Sequence, residues 1–247
     1  MSDDQKPRPA ASVILLRKAD SREFEVFLTK RPEGMPFLGG MYCYPGGVVT
    51  KDDVSDRMLG RCTGLTGEQA RKIVGAQSSG RQALGFWVAA IRELFEEVGV
   101  LFAANPSGER CPIDELQTHR LAEKHQALLE NSLSFVELLE GEDLYCDLTG
   151  LGHFSHWQTP AQEALRFDTR FFVAALPEDQ TPLATSYEVA HSLWLTPENA
   201  MQRHERGELP MIFPTFAALR SLADFDTLKS VLREFGSGIL GVRPPGV

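Results

Sequence analysis

Three carboxylates at helical spacing are the residues of this sequence best suited to chemistry. Glu93, Glu96 and Glu97 stand at positions i, i+3 and i+4 within the segment RELFEEVGV, residues 92–100. Residues three and four apart lie side by side on a helix, so the three acids share one face. Clustered carboxylates repel one another, and hard divalent cations with oxygen ligands relieve that repulsion. Arg92, four residues before Glu96, can neutralise part of the cluster. The spacing therefore indicates either a divalent metal site or a solvated acidic face.

The helix that must carry these acids has a well-defined apolar face. The segment from Leu84 to Val98 has helical periodicity, and Gly99 is suited to end it in a left-handed conformation. The turn Pro45-Gly46-Gly47 lies upstream, and its backbone can approach the acids closely because glycine has no Cβ. On its own such an acidic cluster is more often a solvated face, but the full apolar stripe and the glycine turn favour a functional site.

The remaining pattern predicts a mixed α/β fold. The predicted strands cover residues 11–17, 24–31, 42–44, 100–103, 154–158, 170–176 and 191–195. The predicted helices lie within residues 66–74, 84–98 and 114–140, the last broken near Asn131, and then at 214–223, 227–235 and from Pro197 onward. Strands and helices alternate irregularly, which favours a mixed sheet packed with helices. We predict a flexible tail at 1–10 and a single domain at 11–247, with a mostly helical segment at about 112–140.

Composition excludes some partners. The 247 residues carry a net charge of −9 and show no run of Lys and Arg, which argues against a long nucleic acid but not against a small phosphorylated substrate. The four cysteines form no C-x-x-C pair, the first residues are polar, and no apolar run approaches the length of a membrane span. We therefore expect a cytoplasmic protein without a membrane partner.

Gly47 and the acidic segment together resemble the signature of the Nudix hydrolases, G-x5-E-x7-R-E-U-x-E-E-x-G-U, in which U is aliphatic. Residues 92–100 match every specified position of its second half. In the first half, Asp53 stands where the family has Glu, and 38 residues separate Asp53 from Arg92 where the signature has seven. We interpret the excess of 31 residues as an insertion at about 54–84. Because it holds few large apolar residues, we expect it to pack beside the site rather than fold as a separate domain.

The interrupted signature is similar to the branch of the family that includes peroxisomal coenzyme A diphosphatases. Arg31 with Gly39-Gly40, and the segments 156–160 and 166–172, add to the likeness. The resemblance implies a Nudix-type α/β/α sandwich with a mixed sheet and bound Mg²⁺ or Mn²⁺. It further implies hydrolysis of the diphosphate bond of a nucleoside diphosphate derivative, coenzyme A or an acyl-CoA first. Homodimers are common in the family.

Carried over by position, the resemblance assigns roles to individual residues. The metal ligands are Glu93, Glu96, Glu97 and, as a candidate, the carbonyl of Gly46; the catalytic candidates are Arg92, Glu96 and Glu188; the substrate-binding candidates are Arg31, Gly47 and Arg170. The alternative interpretation of Glu188 is a solvated acid in a loop. The alternative for Arg31 and Arg170 is a surface ion-pair partner. The sequence leaves open ADP-ribose, sugar nucleotides and dinucleoside polyphosphates as substrates. It also leaves open a ligand sensor without catalysis, although the costly acid cluster argues against a sensor.

Overall fold

A seven-stranded mixed sheet lies at the centre of the fold. The computed structural model describes residues 6–19, 24–75, 79–184 and 186–236. The strands are β1 (Arg8–Arg17), β2 (Glu25–Lys30), β3 (Tyr42–Cys43), β4 (Gly46–Val48), β5 (Cys62–Thr63), β6 (Ala103–Ala104), β7 (Tyr145–Asp147), β8 (Gly152–Gln158), β9 (Phe167–Ala175) and β10 (His191–Leu195). The helices are α1 (Asp56–Leu59), α2 (Gly67–Val74), α3 (Gly80–Val98), α4 (Glu115–Leu129), α5 (Phe135–Gly141), α6 (Pro197–Glu205), α7 (Phe213–Leu222) and α8 (Leu228–Phe235).

The sheet order is β10-β2-β1-β9-β8, with β3 added to β2 and β4 added to β1. Only the β1–β9 pair is parallel among these described strands. Side chains of β1 alternate between two cores: Val13 and Leu15 pack with α3, while Ile14 and Leu16 pack with α6, α7 and α8. Helices thus cover both faces of the sheet, and the predicted α/β/α sandwich with a mixed sheet is confirmed. A second small sheet has the order β5-β7-β6.

Two boundary predictions at the sheet were wrong. Arg8 to Ala10 belong to β1 rather than to a tail, because they pair with β9 from Phe167 onward, and Ala10 also pairs with Val48. Residues 1–5 lie outside the described part. The glycine turn was predicted as a loop, yet Gly46 and Gly47 form a short strand against β1. Periodicity missed this strand because three residues are too short to show an alternation.

Helix α3 begins earlier and ends where the sequence predicted. Ser79 caps its first turn in a reciprocal capping box with Gln82, so the helix starts at Gly80 rather than Leu84. Gly99 ends it with φ of 72°, the left-handed conformation that glycine adopts without strain. The predicted break in the following helical segment is also present, at Asn131 with φ of 56° between α4 and α5.

The inserted segment packs on the main domain, as predicted. Met58 and Ala70 are fully buried within the same core cluster as α3. Strand β5 pairs with β7 far along the chain. Gly67 and Gly80 approach so closely that a Cβ on either would contact the other's backbone. Residues 76–78, which also fall in the insertion, lie outside the described part. Among the helices of the described ranges, none has the length and apolar character that a bilayer crossing requires.

Candidate active site

The last turns of α3 place the acids against β4. Glu97 is buried, Glu93 and Glu96 are half-buried, and the Gly46 amide points at Glu97 Oε1 from 3.4 Å. A Cβ on Gly47 would overlap the Glu93 carboxylate. Glycine is therefore required at this position, because strand β4 has to cross directly over the acid cluster.

Arg92 is bonded to the acids on either side of it. Its Nη1 donates to Glu93 Oε1 at 2.9 Å and to Glu96 Oε2 at 2.8 Å. Its Nη2 donates to the Val48 carbonyl at 3.0 Å, which ties the helix to β4. The predicted orienting role of Arg92 thus has a clear geometric basis. One oxygen of Glu93 and one of Glu96 remain available for other partners.

Asp53 is the partner that sequence reasoning left without a role. It accepts from Arg92 Nε at 2.8 Å and from Nη2 at 3.1 Å, and its side chain is only 2% exposed. The amide and hydroxyl of Thr50 also donate to it, at 2.7 and 2.9 Å. A short 3₁₀ turn, Asp52–Val54, sets this geometry before the insertion begins. The signal for this role was the five-residue spacing between Gly47 and Asp53, which matches the Nudix signature. The residue type and the distance from Asp53 to Arg92 do not match it.

Burial disfavours the ionised form of the three acids on α3. Burial, followed by repulsion from Glu93 and Glu188, raises the pKa of Glu97 well above its usual value. Burial, opposed by Arg92, raises the pKa of Glu93 to about 7. Burial also raises the pKa of Glu96. Arg92 alone does not offset the concentrated negative charge, and a further cation would favour the ionised acids.

The donor set fits a hard divalent cation, although it is not a closed cage. Across the described residues, no three His, Cys, Asp or Glu side chains converge on a single metal position. Mg²⁺ commonly takes only one or two carboxylates and completes its shell with water and substrate phosphate. Glu93 and Glu97 meet that requirement, because both are under-compensated and both lie against the glycine backbone of β4. Gly46 is close enough to Glu97 for its carbonyl to remain a predicted ligand.

Pairing of β10 with β2 brings Glu188 and Arg31 to the same place. His191 pairs with Lys30, so the segments that extend beyond both strands meet. Arg31 Nη2 donates to Glu188 Oε2 at 3.1 Å. The charge of Glu188 raises the pKa of Glu96 and Glu97, and Arg31 opposes that effect at Glu97. The structure therefore pairs the two predicted residues with each other, and their charges act on the acids of α3.

Arg170 is placed elsewhere. It donates to Asp168 at 2.6 Å, lies 5.1 Å from the ring centre of Phe86, and has a side chain only 8% exposed. No hydrogen bond or ion pair between Arg170 and the α3 acids occurs in the part of the chain that the structure describes. The guanidinium is mostly enclosed and paired with Asp168, and its Nε is buried without a hydrogen-bond partner among the described residues. Its contact with substrate stays a prediction.

Comparisons with known proteins agree with this arrangement. The NUDT19 Nudix domain model matches residues 5–222. The chain is 29% identical to acyl-coenzyme A diphosphatase NUDT19 of Gallus gallus, over 93% of this chain and 71% of that protein. The proteins of the same name from Homo sapiens and Xenopus laevis are 26% and 22% identical, over 91% and 83% of this chain. The match spans 67% of the human and 61% of the Xenopus protein.

A solved structure shows the same fold. The NUDIX hydrolase from Alicyclobacillus acidocaldarius superposes with a TM-score of 0.72 at 24% identity, over 94% of this chain and 98% of that one. The family model covers most of the chain, including the glycine strand, the insertion and the acidic helix. The chain therefore belongs to the NUDT19 Nudix domain family and is a Nudix hydrolase.

Proposed function

We propose that this protein hydrolyses the diphosphate bond of coenzyme A or an acyl-CoA with the help of a divalent cation. The observation that carries the proposal is the set of Glu93, Glu96 and Glu97 on one face of α3, fixed by Arg92 and crossed by the glycine strand. The relatives named acyl-coenzyme A diphosphatase support this choice of substrate.

The proposed roles follow from position. Glu93, Glu96, Glu97 and the Gly46 carbonyl would hold the cation, while Arg92 orients the first two acids. A bound divalent cation supplies charge neutralisation at the diphosphate oxygens and activation of the attacking water. Glu188 is suited to accept a proton from that water, because its side chain is partly exposed and its charge raises the pKa of the acids of α3.

Arg31 is the proposed phosphate contact. Its Nε is buried without a hydrogen-bond partner among the described residues, while its side chain stays 17% exposed at the site. The exposed part of this guanidinium can donate to a phosphate, and each charge-assisted contact contributes about 1.5–3 kcal/mol. We expect Arg31→Gln to lower kcat/KM for coenzyme A roughly ten- to a hundredfold. Comparison with dephospho-coenzyme A identifies the phosphate, since a contact to the 3′-phosphate would leave that substrate little affected.

The substrate assignment is tested by comparing kcat/KM across coenzyme A, an acyl-CoA, ADP-ribose, a sugar nucleotide and a dinucleoside polyphosphate. We expect the CoA compounds to be the preferred substrates. Efficient turnover of ADP-ribose or a sugar nucleotide, without turnover of either CoA compound, would contradict the substrate and leave the enzyme class intact. The choice of Mg²⁺ or Mn²⁺ as the cation, a homodimer and a cytoplasmic location are proposals from the resemblance and the composition.

A further inference from the structure

We infer that Arg31 and Glu188 form an exchange pair: Arg31 holds Glu188 in the free protein and releases it toward the α3 acids when a substrate phosphate binds the guanidinium. The inference rests on the proposed function, because it needs an anionic substrate at this site. It adds an order of events to the roles proposed above, since phosphate binding has to precede the freeing of the base.

Both partners are presented by fixed backbone. Arg31 is bonded at both its amide and its carbonyl, by the Met41 carbonyl at 3.0 Å and the Gly40 amide at 3.1 Å. Glu188 sits in a tight turn closed by two reciprocal backbone bonds between Ser186 and Val189, at 2.9 and 3.2 Å. Val189 is buried in the main core and anchors that turn. The exchange therefore needs only side-chain rotation.

Arg31 lies where it can serve either partner. It is paired with Glu188, and its positive charge opposes the rise in the pKa of Glu97. A guanidinium carries five N–H donors in a fork that matches phosphate. Within the described residues its Nη2 contacts Glu188 and the Met35 sulfur, and its Nε is buried without a hydrogen-bond partner. Burial raises the pKa of Cys43 to about 12, and a side-chain hydrogen bond from Arg31 opposes that rise. A substrate phosphate can compete with Glu188 for the exposed part of the guanidinium, because it presents more acceptor oxygens than the single oxygen that Glu188 uses.

The existing pair is weak enough to be displaced. The Glu188 side chain is 45% exposed, and ion pairs open to solvent contribute little net stability. Once released, Glu188 can rotate toward the α3 acids, since its charge already raises the pKa of Glu96 and Glu97. The released carboxylate is then available to the water or the cation. The order ensures that the base is free only when an anion occupies the site.

The test measures pyrophosphate binding by calorimetry, with Mg²⁺ present and again with EDTA. Glu188→Gln removes the carboxylate that competes for Arg31, so we expect it to tighten pyrophosphate binding about two- to fivefold. That factor corresponds to the small free energy of a partly exposed ion pair. The same substitution in an Arg31→Gln background should give no tightening. Glu33→Gln is the matched control, because Glu33 lies in the loop that contains Arg31 but pairs with Lys30 at 2.8 Å. It should change the affinity by less than about 1.5-fold.

Three outcomes would overturn the inference: unchanged or weaker binding in Glu188→Gln, equal tightening with and without Arg31, or absence of pyrophosphate binding in every variant. We expect Glu188→Gln to tighten pyrophosphate binding and also to lower kcat with a substrate that the protein hydrolyses. A purely structural role for Glu188 would not produce both effects. The binding pattern stands apart from the substrate assignment. If it is seen but coenzyme A is not hydrolysed, the exchange pair is retained and only the proposed substrate is wrong.

Discussion

At the scale of single residues, the acids of α3 sit where charge is costly for folding. Burial raises the pKa of Glu97 well above its usual value and that of Glu93 to about 7. Removing either charge should therefore relieve repulsion rather than unfold the protein. We predict that Glu93→Gln and Glu97→Gln each lower kcat at least about a hundredfold, which is about 2.7 kcal/mol, with an unchanged or higher Tm. Glu123→Gln, at an exposed acid of α4, is the control. Comparable turnover by the α3 variants would contradict the assignment.

Gly47 provides a second prediction at the same scale. A methyl group at this position would displace the Glu93 carboxylate, so Gly47→Ala should lower kcat at least tenfold, about 1.4 kcal/mol, while the protein stays folded. Gly34→Ala is the matched control, because a Cβ there meets nothing within 4 Å. The measurement is kcat together with circular dichroism. An active Gly47→Ala variant would show that close contact between β4 and the acids is unnecessary.

At the scale of elements, the Asp53–Arg92 pair joins the start of the interrupted signature to α3. Breaking a buried pair by removing one charge typically costs about 3–5 kcal/mol, and we expect Asp53→Asn to lower the free energy of unfolding by about 2–4 kcal/mol. Activity should fall as well, because Arg92 loses the contacts that orient it. Asp52→Asn is the control, since Asp52 is an exposed neighbour. Denaturant titration that finds both variants equal to wild type would contradict this role.

The sequence predicted α3 and its acids well because apolar periodicity and the terminal glycine act within one helix. It predicted Glu188 near the site only through the resemblance, since the contact with Arg31 depends on the pairing of β10 with β2. Strand β4 was missed, because its three residues are fixed by β1 rather than by their own pattern. The surroundings of Arg170 could not be predicted for a similar reason: its strand was predicted, but its contacts with Asp168 and Phe86 depend on the tertiary fold.

At the scale of the whole molecule, His153 should make stability depend on pH. It lies on β8 against the Phe172 ring at 6.0 Å between ring centres, and burial, with Arg170 nearby, lowers its pKa to about 4. The unfolded chain takes up the proton near pH 6.5, before the folded chain does, so stability falls as pH drops from about 6.5 to about 4. We expect His153→Gln to shrink the stability difference between pH 7.5 and pH 5 by about 1–2 kcal/mol. An unchanged difference in denaturant titrations would contradict this explanation.

At the same scale, the proposed activity is cleavage of coenzyme A between the two phosphorus atoms of its diphosphate. The most direct measurement is product identification by mass spectrometry after incubating the protein with coenzyme A, in Mg²⁺ and in EDTA. We predict 3′,5′-ADP and 4′-phosphopantetheine in Mg²⁺, loss of both products in EDTA, and near-complete loss in Glu97→Gln. Intact coenzyme A in Mg²⁺ after prolonged incubation, or equal product from wild type and Glu97→Gln, would contradict it.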